Sequence, residues 1–319
     1  MPESMPQGLI TNILTPFYSK GKLDVEGLRK LLGRAKNNSV LINSSPEGIL
    51  LHNAIRNEVI IETMKIISGD AKIIVGITGN TAAQTIDNVR MVENCIRQLK
   101  YTGQVLLFDC PLWYHSNRGL PAYYEEFSKA ISLPIILSNN PGLILNLRKT
   151  LKRHNIRTNV FKRLAHNRKI SGIEHSGELH RFLNYARAGK TRPDFVFYDG
   201  DEMNFLNNPG VSGVISIGAN ILPEYWGEIV KSSLQPDDFR KDDANHCRLL
   251  WQKREKIKQL YLCYKANPIA IVKAALKHMG IINSDTVAER LEQAKSEEKN
   301  KIYRLLQEIV NEKDPLHCP

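Results

Sequence analysis

The stretch "KISGIEHSGELHRFLNYARAG", Lys169–Gly189, holds the pattern that decides the fold. A small apolar run, "KISGIE" (169–174), reads as a buried strand. Ser176 and Gly177 then turn the chain, and "GELHRFLNYARAG" (177–189) reads as a helix. The strand ends on Glu174, so an otherwise apolar element delivers a carboxylate at its tip.

The same order recurs on both sides. Upstream, "LITNIL" (9–14), "VLINSS" (40–45), "KIIVGIT" (72–78), "QVLLFD" (104–109) and "PIILSNN" (134–140) read as strands. Helices are expected between them at 24–35, with Asp24 as N-cap, and at 57–67, 81–99 and 120–131. The basic region before residue 169 also reads as helical. Downstream, "DFVFYDG" (194–200) and "VSGVISIG" (211–218) are strands flanking a short helix at "DEMNFL". Apolar, β-branched strands alternating with helices imply a parallel sheet covered on both faces. Eight such units predict an α/β fold, a (β/α)8 TIM barrel, over residues 1–234. The polar run "SSLQPDDFRKDD" (232–243) reads as a linker, and residues 235–319 as a C-terminal helical domain. In "NPIAIVKAALKHMG" (267–280), Pro268 starts a helix and Gly280 stops it.

Composition narrows the class. Of the 319 residues, 42% are hydrophobic and 24% charged, the balance of a globular chain with a full core. No apolar run is long enough for a bilayer, so no membrane association is expected. "MPESMPQG" (1–8) has no secretory pattern, and Cys95, Cys110, Cys247, Cys263 and Cys318 form no CxxC pair. These readings place the protein in the cytoplasm with reduced thiols. The net charge is +11, and no acid occurs between Glu126 and Glu174. The basic segment 147–169 reads as a solvated helical face with a loop. Nucleic acid is the sharper alternative, but interleaved aromatics and a binding motif are missing.

Active sites of such barrels lie at the C-terminal strand ends. Those ends carry "TPF" (15–17), "SSPEG" (44–48), "GITGNTAAQTI" (76–86), "YDGDE" (198–202) and "GVSGVISIGAN" (210–220), with "NPIAIVKAAL" (267–276) in the tail. In this ordered set the chain resembles the dihydrodipicolinate synthase / N-acetylneuraminate lyase family from first strand to last helix. The resemblance implies a barrel with a helical tail, assembled as a homo-oligomer, a dimer or tetramer. It also implies lyase chemistry on pyruvate without a cofactor. In that chemistry a lysine ending strand six forms a Schiff base, and a tyrosine ending strand five relays protons.

The resemblance also implies that this machinery is replaced. The family's Gly-Ile-Lys falls on Gly172-Ile173-Glu174, and its Tyr-Asn-x-Pro on Ser138-Asn139-Asn140-Pro141. Its carboxylate-binding arginine falls on Leu143. The aromatic lent by a neighbouring subunit falls near Trp113 or Tyr114 in "CPLWYH". Ser44 and Ser45 keep hydroxyls where the family has threonines, and Ile215 keeps the pyruvate-contacting main chain. Lys169 begins strand six at the opposite end of the barrel and cannot substitute for the missing lysine.

Glu174 then has three readings: a relic in a binding pocket, a general acid or base with raised pKa, or a metal ligand beside Asp199, Asp201, His175 and Glu47. "HSGELH" (175–180) lacks zinc spacing, because His175 precedes the helix. "GITGN" reads as a barrel turn rather than a phosphate cradle. The site residues are therefore Glu174, Ser138 and Ser44 at the reacting positions, with Ser45, Ile215, Trp113 and Tyr114 around a ligand; no metal or cofactor is assigned. The leading expectation is a degenerate barrel, inactive as a pyruvate aldolase, that binds a small anionic 2-oxo acid or serves assembly. A lyase working by metal or acid–base chemistry and a nucleic-acid or anionic-surface binder are the alternatives.

Overall fold

In the computed structural model, residues 4–18, 21–35, 38–44, 46–69, 71–147, 153–234 and 244–311 are described. Eight strands close into one parallel barrel in chain order: β1 Gly8–Asn12, β2 Ser39–Ile42, β3 Ile73–Gly76, β4 Val105–Asp109, β5 Ile135–Asn139, β6 Ile170–His175, β7 Val196–Asp199 and β8 Gly213–Ser216. β8 pairs with β1 through Leu9 opposite Val214, which removes both sheet edges. The eight expected strands are all present; most are shorter than the apolar run that encodes them, while β1 and β2 start one residue earlier than expected and β6 is shifted one residue later, ending on His175 rather than Glu174. The extra residues bend away to form the loops of the rim.

Side-chain alternation sorts the barrel into two cores. Ile10, Leu41, Ile74, Leu106, Ile136, Val196 and Ile215 fill the interior. Tyr198 joins them, and its hydroxyl donates to the Pro6 carbonyl at 2.7 Å, which ties the N-terminal segment to the barrel interior. The alternate residues, such as Val40, Val75, Leu107, Leu137 and Ile173, pack outward against the helices. Asp24 caps the helix Val25–Arg34, as expected, accepting from Gly27 N at 2.9 Å. Its other oxygen accepts from Asn283 N at 3.0 Å and Nδ2 at 2.8 Å, so this cap also holds the C-terminal segment.

The helix Pro223–Leu234 takes in the first three residues of the expected linker 232–243, and residues 235–243 lie outside the described residues. Helices follow at Ala244–Tyr264, Pro268–His278 and Ser296–Asn311. The tail is not helical throughout: residues 279–295 run mostly as turns and irregular chain, with Gly280 at φ +69° just past a helix end. Leu260, Tyr264, Ile269 and Ile302 join the same apolar cluster as the barrel's outer core. Cys95, Cys110, Cys247 and Cys263 are free thiols. Cys318, and Lys149 and Lys152 of the basic segment, fall outside the described residues.

Candidate functional site at the barrel mouth

β6 runs with Gly172 and Glu174 facing the interior and Ile173 and His175 facing the helices. Glu174 pairs in register with Ser138 of β5 and Tyr198 of β7. Its Oε2 accepts from Ser138 Oγ at 2.6 Å, and its Oε1 accepts from Ser176 Oγ. The side chain is buried, at 4% exposure, and burial pushes its pKa above the usual carboxylate value against the pull of the two serines. The carboxylate at the strand tip is therefore a held, desolvated group rather than a surface charge.

Gly200 makes that position available. A Cβ built on Gly200 would lie 1.5 Å from Glu174 Oε1 and 2.3 Å from Ser176 Oγ. Gly200→Ala must displace the carboxyl and break its bond to Ser176. We expect a loss of about 1–3 kcal/mol in denaturant unfolding, the usual scale of overpacking. An unchanged midpoint would mean that Glu174 is not held where the structure puts it.

The cavity above Glu174 has a volume of about 250 Å³. Ser44, Ser138, Leu143 and Ile215 all line it, so the rim assembles these four expected positions with Glu174. Ser44 donates to Asn12 Oδ1 at 2.6 Å. Ser45 lies outside the described residues. Trp113 and Tyr114, expected to serve a neighbouring subunit's pocket, do not line this chain's own cavity. Trp113 Nε1 donates to Asn80 at 3.3 Å, and Tyr114 donates to Asp109 Oδ2 at 2.7 Å. The short 3-10 turn Pro111–Trp113 carries Tyr114 back onto its own strand end, where Tyr124 and Thr78 also bond to Asp109. Tyr114 thus belongs to a buried hydrogen-bond cluster of its own chain.

The wall on the far side comes from the tail, and sequence reasoning missed it. Tyr261, Tyr264, Lys265 and Pro268 reach the mouth from the end of one helix and the start of the next. Lys265 is exposed and is the one cation among the described lining residues. Its signal was the spacing of Tyr261, Tyr264 and Lys265 along one helical face. Tyr264 donates to Glu202 Oε2, while Glu202 Oε1 accepts from Ser216 Oγ at 2.5 Å and Gly218 N at 2.7 Å. Glu202 is thus a buried brace between β8, its following turn and the tail.

The acids considered as metal ligands are not gathered into one set. His175 faces away from the mouth, with Nδ1 2.9 Å from Asn139 Nδ2 and its ring edge-on to Tyr185. Glu47 is paired with Lys273 at 2.6 Å. Asp201 caps the helix Glu202–Asn207 through Met203 N and Asn204 N. Among the described residues, no three His, Cys, Asp or Glu side chains are placed to hold a metal ion.

Asp199 ends β7, and burial raises its pKa to about 7, with Asp201 and Glu174 adding to the shift. The folded chain therefore keeps a proton on Asp199 that the unfolded chain loses near pH 4. This contribution is full below pH 4 and is lost as pH rises to about 7. Stability should fall across that window by about 1.4 kcal/mol per pH unit for this group. Asp199→Asn should flatten the slope by that amount in urea unfolding from pH 4 to 8. An unchanged slope would place the titration elsewhere.

A closed parallel barrel with a polar cavity at its C-terminal strand ends, walled on one side by its own helical tail, defines a (β/α)8 barrel protein. Within that class, the chain belongs to the dihydrodipicolinate synthetase family, which it matches over residues 5–309. It is 28% identical over 281 residues to the 4-hydroxy-tetrahydrodipicolinate synthase of Protochlamydia amoebophila, covering 85% of this chain and 86% of that protein. The corresponding synthase of Fervidobacterium nodosum is also 28% identical, over 87% of this chain and 90% of that one. Among solved structures, a monomeric dihydrodipicolinate synthase variant shares the fold with a TM-score of 0.78 at 23% identity, over 95% of this chain and 97% of that chain. The Thermotoga maritima dihydrodipicolinate synthase does so with a TM-score of 0.77, also at 23% identity, over 95% and 98%.

Proposed function

We propose that this family member holds a small polar ligand at the barrel mouth without forming a Schiff base, and that it is inactive as a pyruvate aldolase. The observation that carries this reading is Glu174 at the tip of β6, bonded to Ser138 and Ser176 where the family resemblance calls for a lysine and a tyrosine. A carboxylate cannot add to a carbonyl to give an iminium, and a serine hydroxyl is a poor proton relay beside a phenol. Leu143 adds an apolar wall where the resemblance calls for an arginine. Lys265 lies just past the end of the tail helix Ala244–Tyr264 and is exposed, away from the tip of β6 where the resemblance places the Schiff-base lysine.

A second reading draws on the raised pKa of Glu174. A buried carboxyl whose pKa desolvation raises is suited to donate or remove a proton on a bound 2-oxo acid or its aldol. On this reading the mouth retains acid–base lyase chemistry without an iminium. We further infer a homo-oligomer, a dimer or tetramer, supported by the exposed apolar side chains Trp251, Leu262, Leu179 and Leu183. No described helix is long and apolar enough to cross a membrane, and a cytoplasmic location remains part of the proposal.

Borohydride reduction in the presence of pyruvate tests the main reading. The expected result is an unchanged intact mass. A trapped adduct mapped to any lysine, Lys265 included, would overturn it and restore ordinary synthase chemistry. Release of pyruvate from an aldol substrate without any trapped adduct would favour the acid–base reading instead.

A further inference from the structure

A second cavity lies outside the barrel wall, beside the ends of β5 and β6. Its volume is about 320 Å³, and the described residues lining it are Arg153, His154, Asn155, Arg157 and Arg181. Three guanidinium groups share it, and no acid is among the lining residues. None of the three side chains has a hydrogen bond or ion pair to a described residue. Arg181 comes from the helix after β6, while the other two come from the connection after β5. The fold, not the run of basic sequence, therefore brings the three together.

The cavity is built rather than incidental. Asn139, at the end of β5, accepts from Ile156 N at 2.7 Å and donates to Asn155 Oδ1 at 2.9 Å. Asn117 accepts from Arg157 N at 2.8 Å and donates to the Asn155 carbonyl at 3.0 Å. The Tyr185 hydroxyl donates to the Ile156 carbonyl at 2.5 Å. These bonds hold the backbone of 155–157 from three elements and use none of the arginine side chains. The frame is fixed, and the cations are left for something else.

Like charges lining one cavity repel, and an anion seated among them reverses the sign of that interaction. Arginine's planar fork matches phosphate oxygens two at a time, which suits this set better than a single carboxylate. The concave shape fits a small molecule. Among the described lining residues His154 is the one aromatic ring, and no Phe, Tyr or Trp is present to stack the successive bases of a nucleic-acid strand. We propose that this cavity is a binding site for a small phosphate-bearing anion, separate from the mouth and independent of what the mouth does. Asn139 links the two, since it neighbours Ser138 in β5 and touches His175, the residue after Glu174.

Inorganic pyrophosphate is the probe, titrated calorimetrically into the full chain at constant ionic strength. Saturable binding of one pyrophosphate per chain, at about 1 mM or tighter, is expected. Arg157→Gln and Arg181→Gln should each weaken it by about tenfold or more, and Arg157→Lys by less, because the charge stays and the fork is lost. Arg157 is exposed, so its variant decides the matter if Arg181→Gln lowers the unfolding midpoint. Absence of saturation, or equal affinity in Arg157→Gln, would overturn the proposal. So would a single-stranded oligonucleotide that binds through these arginines more tightly than pyrophosphate, because the surface would then serve an extended strand.

Discussion

Lys273→Ala is expected to remove about 3–5 kcal/mol of folding stability, a large part of what a protein of this kind has to lose. The Lys273 side chain is fully buried on the helix Pro268–His278, and Nζ sits 2.6 Å from Glu47 Oε1. The ammonium also donates to the Thr286 carbonyl at 3.1 Å and lies 4.3 Å from the Phe17 ring centroid. Burial lowers the Lys273 pKa, and Glu47 opposes that shift. Truncation leaves the Glu47 carboxylate desolvated with, among the described residues, a single remaining donor, Ala288 N at 3.2 Å. That isolated charge, more than the lost attraction, sets the cost. The double variant Glu47→Gln/Lys273→Met should recover most of the loss, because no charge is then stranded. Denaturant unfolding of the three proteins measures both statements. A single variant within about 1 kcal/mol of the parent would show that water reaches the pair. The mouth should suffer as well, since Glu47 lines it and the Lys273 helix contributes Pro268 and Ile269 to its wall.

Glu174→Lys is expected to let the chain trap pyruvate on that residue under borohydride. β6 would present the amine at the same tip, opposite Ser138, inside a cavity that already exists. The neighbouring acids work against it. Asp201 already acts on Glu174 and Asp199 through space, and a carboxylate beside an ammonium favours the protonated, unreactive form. Adduct formation should therefore be slow near neutrality and rise with pH. Turnover should stay absent, because Ser138 supplies no phenol to move the proton. Intact-mass measurement with peptide mapping reads the first expectation, and product formation reads the second. No adduct at any pH would mean that the mouth does not admit a 2-oxo acid at all.

The position of Glu174 was legible because a strand's side chains alternate strictly and strand six is short and apolar. Once Gly172 and Glu174 are placed inside, Ser138 must face them from the next strand, as the register shows. The repeated strand–helix order pointed to a parallel sheet covered on both faces, and a count of eight such units matches the closed barrel that the structure shows. Helix starts with a capping side chain, such as Asp24, were equally local and equally readable.

What the sequence left open depends on contacts between residues far apart in the chain. Tyr114 and Trp113 lie near the rim in sequence, but a single 3-10 turn and the pull of buried Asp109 send Tyr114 away from the mouth. Lys265 reads as one basic residue at the end of a polar helix, and only docking of the tail over the barrel brings it to the cavity. Gly200 reads as an ordinary turn glycine, and its necessity comes from a carboxylate 26 positions earlier that occupies the space of its Cβ. The basic cavity draws Arg181 from one β/α unit and Arg153 and Arg157 from the one before. The sequence alone therefore determined the fold and the chemical character of the mouth, through periodicities that act within a few residues. Tertiary structure alone decided which distant side chains wall the mouth and which cations lie together, because closing the barrel and folding the tail across it set those distances.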